Sequence, residues 1–156
     1  MAIHILLLED HADTAHALAR LLENEGYRVT IAGRLREAVS ICRRDDFDLL
    51  LLDLKLPDGD AMTLPQQLGD RCTAPAIVLS AEGDAERQEE ARRRGFADYL
   101  LKPVTMDVIR SAIARALPNA KEQRAATPVP LLRNDTATNQ LCLTRFSDSV
   151  YSHAFR

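Results

Sequence analysis

Long apolar runs are missing from this sequence, and their absence excludes a class of protein. No stretch of the 156 residues approaches the about 18 consecutive apolar residues that a membrane-spanning helix requires. The first residues, Met-Ala-Ile-His-Ile-Leu-Leu-Leu, carry no basic segment ahead of the apolar run and lead directly into acidic residues, unlike a signal peptide. We therefore expect a cytoplasmic protein with no membrane segment.

Basic charge is also scarce. The formal net charge is -3 at pH 7, and lysine occurs only at positions 55, 102 and 121. A dedicated nucleic-acid-binding protein normally carries a basic excess. We therefore expect no direct binding of nucleic acid.

Cysteine is too sparse and too scattered to form a framework. Cys42, Cys72 and Cys142 are odd in number and far apart in the sequence. This pattern predicts free thiols in a reducing compartment, and it argues against both a disulfide scaffold and a zinc site. The 46% hydrophobic content is sufficient for a real core, which excludes global disorder.

The apolar residues that are present form five short runs separated by segments with helical spacing. Continuous apolar runs of this length are typical of strands buried on both faces. Strand alternating with helix predicts an α/β fold with a mostly parallel, doubly wound, flavodoxin-like sheet of strand order 2-1-3-4-5. The runs are Ile3–Leu8, Tyr27–Ala32, Phe47–Leu52, Ala76–Leu79 and Ala97–Leu101.

The chain changes character at Pro118. Periodicity ends there, and residues 118–156 are rich in Pro, Thr, Asn and Ser. A segment of fewer than about 40 residues rarely folds alone. We predict one domain over residues 1–117, followed by a flexible, largely disordered tail or linker over 118–156. The apolar clusters Val129–Leu132 and Leu141–Leu143 leave open the alternative that this segment docks on the domain or on a partner.

Polar side chains gather at the predicted carboxyl ends of the strands, where open α/β sheets bind ligands. Glu9-Asp10 ends the first strand, Asp53 the third, Ser80 the fourth and Lys102 the fifth. Two like charges about 4 Å apart repel by about 4 kcal/mol at an effective dielectric constant of about 20. Three carboxylates at one edge therefore need cations, which Lys102 and a Mg²⁺ ion bound through oxygen ligands would supply.

Such an arrangement suits chemistry at phosphorus. An aspartate beside a divalent ion can act as a nucleophile on a phosphoryl group and form an acyl phosphate. Ser80 and Lys102 would then hold the transferred oxygens. The sequence thus points to phosphoryl transfer at the edge that carries Asp53.

The same residues resemble the motif set of response-regulator receiver domains, the CheY-like domains of two-component signalling. The resemblance covers about residues 3–117. The motifs that carry it, in chain order, are Glu9-Asp10, Asp53 in Asp-Leu-Lys-Leu-Pro-Asp-Gly, Ser80-Ala81, and Tyr99-Leu-Leu-Lys102-Pro103.

The resemblance assigns roles to the acidic residues. It implies that Asp53 is the phosphoacceptor. It also implies that Asp10 and Asp53 ligate Mg²⁺, that Glu9 assists through water, and that the backbone carbonyl of Lys55 is the remaining protein ligand.

It assigns further roles at the fourth and fifth strands. Ser80 is implied to be the switch hydroxyl and Tyr99 the switch aromatic residue. Lys102 is implied to pair with the phosphoryl group, and the Lys102–Pro103 bond to be cis, which the residue type permits.

Two positions depart from the family pattern. Ala61 stands where members usually have glycine. Pro65 lies where the third helix is normally unbroken, and because proline is tolerated only in a first turn, we expect that helix to start near Thr63 or Leu64.

Three other residues lie close to the predicted site. His11 follows the acidic pair, and we interpret it as a polar residue at an exposed helix start rather than a metal ligand. Lys55 and Glu82 lie two residues after Asp53 and Ser80, and we expect their opposite charges to pair across the mouth of the site.

The resemblance implies a signalling role rather than that of an enzyme, apart from self-catalysed phosphorylation and dephosphorylation. The donor would be a sensor histidine kinase or a histidine phosphotransfer protein, and the output an unidentified protein reached by contact. Phosphorylation-linked homodimers are also implied. We favour a single-domain regulator, with a receiver module of a hybrid histidine kinase or longer regulator as the alternative.

Two other classes fit less well. A Mg²⁺-dependent phosphatase or phosphotransferase with an aspartyl nucleophile usually carries a second Asp two residues later, where this chain has Lys55. Flavin binding on the same fold requires a loop rich in Gly, Ser or Thr after the first strand, which is absent here.

Overall fold

The structure, a computed structural model, describes residues 2–118 of the chain. The predicted tail or linker beyond Pro118 lies outside the described residues, as does Cys142. Those two predictions therefore stay untested.

Strands and helices alternate along the described residues. The strands β1 to β5 are His4–Leu8, Arg28–Ala32, Leu49–Asp53, Ala76–Ser80 and Asp98–Leu101. The helices α1 to α5 are Ala12–Asn24, Leu35–Arg44, Leu64–Leu68, Ala85–Arg93 and Met106–Ala116. A short hairpin, Lys55–Leu56 with Gly59–Asp60, leads from β3 into the turn before α3.

The five strands form one parallel sheet in the order β2-β1-β3-β4-β5, which confirms the predicted flavodoxin-like arrangement. Every side chain of β1, β3 and β4 is buried, as expected of strands covered by helices on both faces. Each strand boundary lies within two residues of its predicted position.

Alternate residues of the sheet build the core on opposite faces. Leu6, Leu8, Leu50, Leu52 and Val78 join buried residues of α2, α3 and α4 in one apolar cluster. The register that pairs Leu8 with Leu52 and Leu52 with Val78 brings the carboxyl ends of β1, β3 and β4 to one edge.

The start of α3 agrees with the expectation from Pro65. The helix begins at Leu64, which puts Pro65 in the first turn, where no intrahelical N–H donor is needed. A 3₁₀ turn over Ala61–Thr63 precedes it, and the Asp60 side chain caps that turn by accepting a 2.9 Å hydrogen bond from the Met62 N–H. Ala61 is fully buried and needs no glycine-only conformation.

The two described cysteines are free, as predicted. Cys42 is buried in α2, and burial raises the pKa of its thiol to about 12, with neighbouring Cys72 adding to the shift. Across residues 2–118, no helix has both the length and the apolar character to cross a bilayer.

Candidate functional site

A buried ion cluster lies at the carboxyl edge of the sheet. Glu9 directly follows β1, Asp53 is the last residue of β3, and Lys102 directly follows β5. The Nζ atom of Lys102 lies 2.7 Å from Asp53 Oδ2 and 3.0 Å from Glu9 Oε2, so one ammonium group bridges two carboxylates. Glu9 is only 2% exposed, which makes this bridge essential for its burial.

The pKa values of the two carboxyl groups in this cluster shift in opposite directions. Burial raises the pKa of Glu9, and the adjacent Asp53 raises it further. Burial also acts to raise the pKa of Asp53, but hydrogen bonds from Lys102, from Glu9 and from the Lys55 N–H outweigh it, so this pKa is lowered. Asp53 therefore loses its proton more readily than Glu9, which makes it the stronger candidate for a nucleophile.

Asp53 is held at both oxygens. Its Oδ1 atom accepts a 3.1 Å hydrogen bond from the backbone N–H of Lys55, while Oδ2 faces Lys102. The burial of Lys102 acts to lower the pKa of its amine, but Asp53 and Glu9 more than compensate, and the pKa is raised. Lys102 therefore stays charged beside the Asp53 carboxylate.

Ser80 ends β4 next to this cluster. It is buried, and its Oγ atom accepts a 3.0 Å hydrogen bond from the backbone N–H of Glu82. The backbone N–H of Lys102 donates to the Ser80 carbonyl oxygen at 2.7 Å, so the ends of β4 and β5 stay paired at the site. The Lys102–Pro103 peptide bond is cis, as the resemblance implied.

Tyr99 and Lys55 both contact Glu82 in the loop after Ser80. The Tyr99 hydroxyl group donates to the backbone carbonyl oxygen of Glu82 at 3.1 Å. The Lys55 Nζ atom lies 2.7 Å from Glu82 Oε1, with 73% and 56% of the two side chains exposed. The expected pairing of Lys55 with Glu82 is confirmed, and Glu82 links the loops that follow β3 and β4.

Asp10 and His11 complete the acidic corner. Asp10 is more exposed than Glu9 and reaches it through the ring of His11, whose Nδ1 atom lies 3.1 Å from Asp10 Oδ1 and 3.3 Å from Glu9 Oε1. His11 is the N-cap residue of α1, and its ring is exposed, as expected. Its contact with both acids was missed from the sequence, although its position directly after the acidic pair was the available signal.

The donor set suits a hard divalent ion. The carboxylates of Glu9, Asp10 and Asp53 and the backbone carbonyl of Lys55 follow two adjacent strands, β1 and β3. Carboxylate and carbonyl oxygens are the ligands that Mg²⁺ accepts in proteins. Beside these oxygens, the Asp53 carboxylate can attack an electrophilic phosphorus. The Lys102 ammonium group can stabilise the negative charge of the transferred phosphoryl group.

Comparisons with known proteins agree with this geometry. The chain matches the family model of the response regulator receiver domain over residues 5–114. The two-component response regulator ARR11 of Arabidopsis thaliana is 31% identical over 108 residues, which are 68% of this chain and 21% of that protein. The chain thus spans about a fifth of the length of the curated plant regulators it matches.

Two solved structures share the fold. A receiver domain protein (CheY-like) from Methanospirillum hungatei JF-1 superposes with a TM-score of 0.70 at 26% identity, covering 78% of this chain and 99% of that one. A response regulator protein from Burkholderia pseudomallei, solved with a phosphorylated aspartic acid, a calcium ion and citrate, gives a TM-score of 0.66 at 28% identity, covering 82% and 74%.

The family match covers all five strands except the first residue of β1, and it includes the strand ends that carry Glu9, Asp53 and Lys102. Sheet order, site chemistry and sequence similarity lead to one conclusion. The chain belongs to the family of response regulator receiver domains of two-component systems.

Proposed function

We propose that this receiver accepts a phosphoryl group on Asp53 from a phosphohistidine donor and acts as a phosphorylation-dependent switch. The observation that carries the proposal is the anionic Asp53 carboxylate at the end of β3, held by the Lys102 ammonium group and the Lys55 N–H. The Burkholderia pseudomallei relative, which contains a phosphorylated aspartic acid, supports the same chemistry.

In the proposed reaction, a carboxylate oxygen of Asp53 attacks the phosphorus of the phosphohistidine. The new O–P bond gives an acyl phosphate while the P–N bond breaks, and the departing imidazole takes up a proton. The donor is a sensor histidine kinase or a histidine phosphotransfer protein. Lys102, already 2.7 Å from Asp53, faces the developing negative charge.

We assign the metal site to the carboxylates of Glu9, Asp10 and Asp53 and to the backbone carbonyl of Lys55. A bound Mg²⁺ ion would offset the charge of the phosphoryl oxygens. Glu9 is anchored by Lys102, so it supports this arrangement from the buried side.

Ser80 and Tyr99 are proposed to transmit the change. A phosphoryl group adds about −1.5 to −2 charges and three strong acceptor oxygens. The Ser80 hydroxyl group can donate a hydrogen bond to one of these oxygens. Because Ser80 Oγ also accepts a hydrogen bond from the Glu82 N–H, this would move the loop that follows Ser80. Tyr99 is bonded to the carbonyl oxygen of Glu82, so the movement reaches β5 and the neighbouring surface of α4 and α5.

The output is proposed to be a protein contact, including a homodimer formed on phosphorylation. A second candidate is a receiver module within a longer regulator or hybrid kinase. The plant relative, of which the match covers 21%, is an example of a longer regulator that contains a domain of this kind.

The test is labelling with acetyl phosphate in Mg²⁺ buffer. We expect the parent chain to become phosphorylated and Asp53→Asn to remain unlabelled, because an amide cannot form the acyl phosphate. Asp107→Asn is the matched control, since Asp107 is 87% exposed on α5. Equal labelling of Asp53→Asn and the parent chain would overturn the assignment, provided that circular dichroism shows both to be folded.

A further inference from the structure

His11 has no role in the proposed phosphoryl transfer, yet its ring lies against two of the proposed metal-binding carboxylates. Its Nδ1 atom is 3.1 Å from Asp10 Oδ1 and 3.3 Å from Glu9 Oε1. The three ligand atoms that these residues offer all lie within 4.8 Å of one another. With metal–ligand bonds of about 2.0–2.2 Å, neighbouring ligand atoms of one ion lie roughly 3–3.5 Å apart, so the two distances from His11 Nδ1 suit one shared ion.

Glu9 and the start of α1 at His11 are held in fixed positions relative to one another. Lys102 fixes Glu9 through Oε2, which turns Oε1 toward His11. The backbone N–H of His11 donates to the same Oε1 atom at 3.2 Å and so fixes the start of α1 against Glu9. The His11 ring itself is 77% exposed, so an ion can reach it from solvent without opening the fold.

Nitrogen donors change which ions a site prefers. Mg²⁺ favours oxygen ligands, whereas imidazole suits first-row transition ions such as Ni²⁺, Cu²⁺ and Zn²⁺. We propose that His11 Nδ1 is a metal ligand beside Asp10 and Glu9, and that it gives this corner of the receiver a site for divalent transition ions. The inference rests on the proposed function only for placing the metal at these acids.

The experiment is calorimetric titration of the full chain, without any phosphodonor, with Ni²⁺, Zn²⁺ and Mg²⁺ in turn. We expect His11→Gln to weaken Ni²⁺ and Zn²⁺ binding about tenfold or more, since loss of even an outer partner of a metal ligand costs that much. Mg²⁺ binding should change little. His16→Gln is the matched control, because His16 is exposed on the same helix and bonded to the Ala12 carbonyl oxygen.

A spectroscopic readout identifies the ligand. Bound Cu²⁺ in the parent chain should show nitrogen hyperfine coupling in its electron paramagnetic resonance spectrum, and His11→Gln should lose one such coupling. Comparison between variants cancels any binding elsewhere on the chain.

Two results would overturn the proposal. One is unchanged Ni²⁺ and Zn²⁺ affinity in His11→Gln; the other is an equal loss for Mg²⁺, which would make His11 a support for the acids rather than a ligand. These outcomes are independent of Asp53, because a chain that binds Ni²⁺ through His11 but is not labelled by acetyl phosphate contradicts the proposed function alone.

Discussion

At the scale of single residues, Lys102 sets the charge of the site. It is the one described cation that contacts both Glu9 and Asp53, and both carboxyl groups are too buried to be well solvated by water. Removing one partner of such a cluster leaves the others buried without compensation. The stability of the fold and the readiness of Asp53 to react therefore depend on the same side chain.

We expect Lys102→Met to lower the free energy of unfolding by about 1–3 kcal/mol, because two charge-assisted hydrogen bonds are lost. Lys55→Met is the matched control: Lys55 also forms an ion pair, at 2.7 Å, but an exposed one, which is worth about 0–1 kcal/mol. Urea unfolding at neutral pH measures both. Equal losses in the two variants would contradict the central position given to Lys102.

The Lys55–Glu82 pair should matter for the lifetime of the phosphorylated state rather than for stability. Its side chains connect the loop that follows Asp53 to the loop that follows Ser80. They can therefore obstruct a water molecule that attacks the phosphoryl group. We expect replacement of both by Ala to speed dephosphorylation several-fold, where each tenfold corresponds to about 1.4 kcal/mol of barrier.

Decay of the purified phospho-protein in Mg²⁺ buffer measures this rate. The control removes another exposed ion pair, Glu89–Arg92 on α4, by the same double replacement with Ala. Decay of the Lys55/Glu82 double variant at or below the parent rate would show that the pair does not obstruct hydrolysis.

At the scale of elements, α4 buries the fewest residues of the five described helices. Ala91 is its one buried residue, whereas α1, α2 and α5 each bury at least three. Besides the packing of Ala91 in the core, a polar contact connects α4 to the rest: Arg87 bridges Glu90 and Asp60, the residue that caps the turn before α3. A helix with so little buried surface can shift at a small cost in free energy, which suits a surface that responds to phosphorylation.

We expect Arg87→Gln to make amide hydrogen exchange in α4 roughly two- to fivefold faster, as befits loss of a partly exposed ion pair worth up to about 1 kcal/mol. Arg92→Gln is the control, because the described ion pair of Arg92, with Glu89, lies within the same helix. Hydrogen-exchange mass spectrometry measures the exchange rate of α4 in both variants. The same exchange rate in both variants would show that the bridge to Asp60 does not hold α4.

The elements also show what the sequence could predict. The strands follow from continuous apolar runs, and the start of α3 follows from Pro65. The order of the strands in the sheet is enough to bring Glu9, Asp53 and Lys102 together at one edge. The hairpin at Lys55–Asp60 carries no comparable hydrophobic pattern, so it was not predicted. The His11 contacts depend on how the chain turns into α1, which local composition does not determine.

At the scale of the whole molecule, the site is assembled by long-range pairing within one α/β unit. Glu9, Asp53 and Lys102 are separated by dozens of residues and meet only because β1, β3, β4 and β5 pair in register. The proposed phosphoacceptor, metal ligands and switch residues all lie between Glu9 and Lys102 in the sequence. The chemistry should therefore belong to this unit.

We expect a chain that ends after Pro118 to be phosphorylated by acetyl phosphate at the rate of the full chain. The comparison uses equal concentrations in the same Mg²⁺ buffer, with circular dichroism to verify that the shortened chain is folded. A folded but unlabelled shortened chain would show that residues 119–156 contribute to the reaction, against the domain boundary proposed from the sequence.

The central claim is that Asp53 itself carries the phosphoryl group. Sodium borohydride reduces an aspartyl phosphate to homoserine, and peptide mass spectrometry then locates the altered residue. After incubation with acetyl phosphate and Mg²⁺, we expect homoserine at position 53, and none there when the phosphodonor is omitted. Homoserine at another aspartate, or a phosphate that survives on a hydroxyl side chain while Asp53 stays intact, would contradict it.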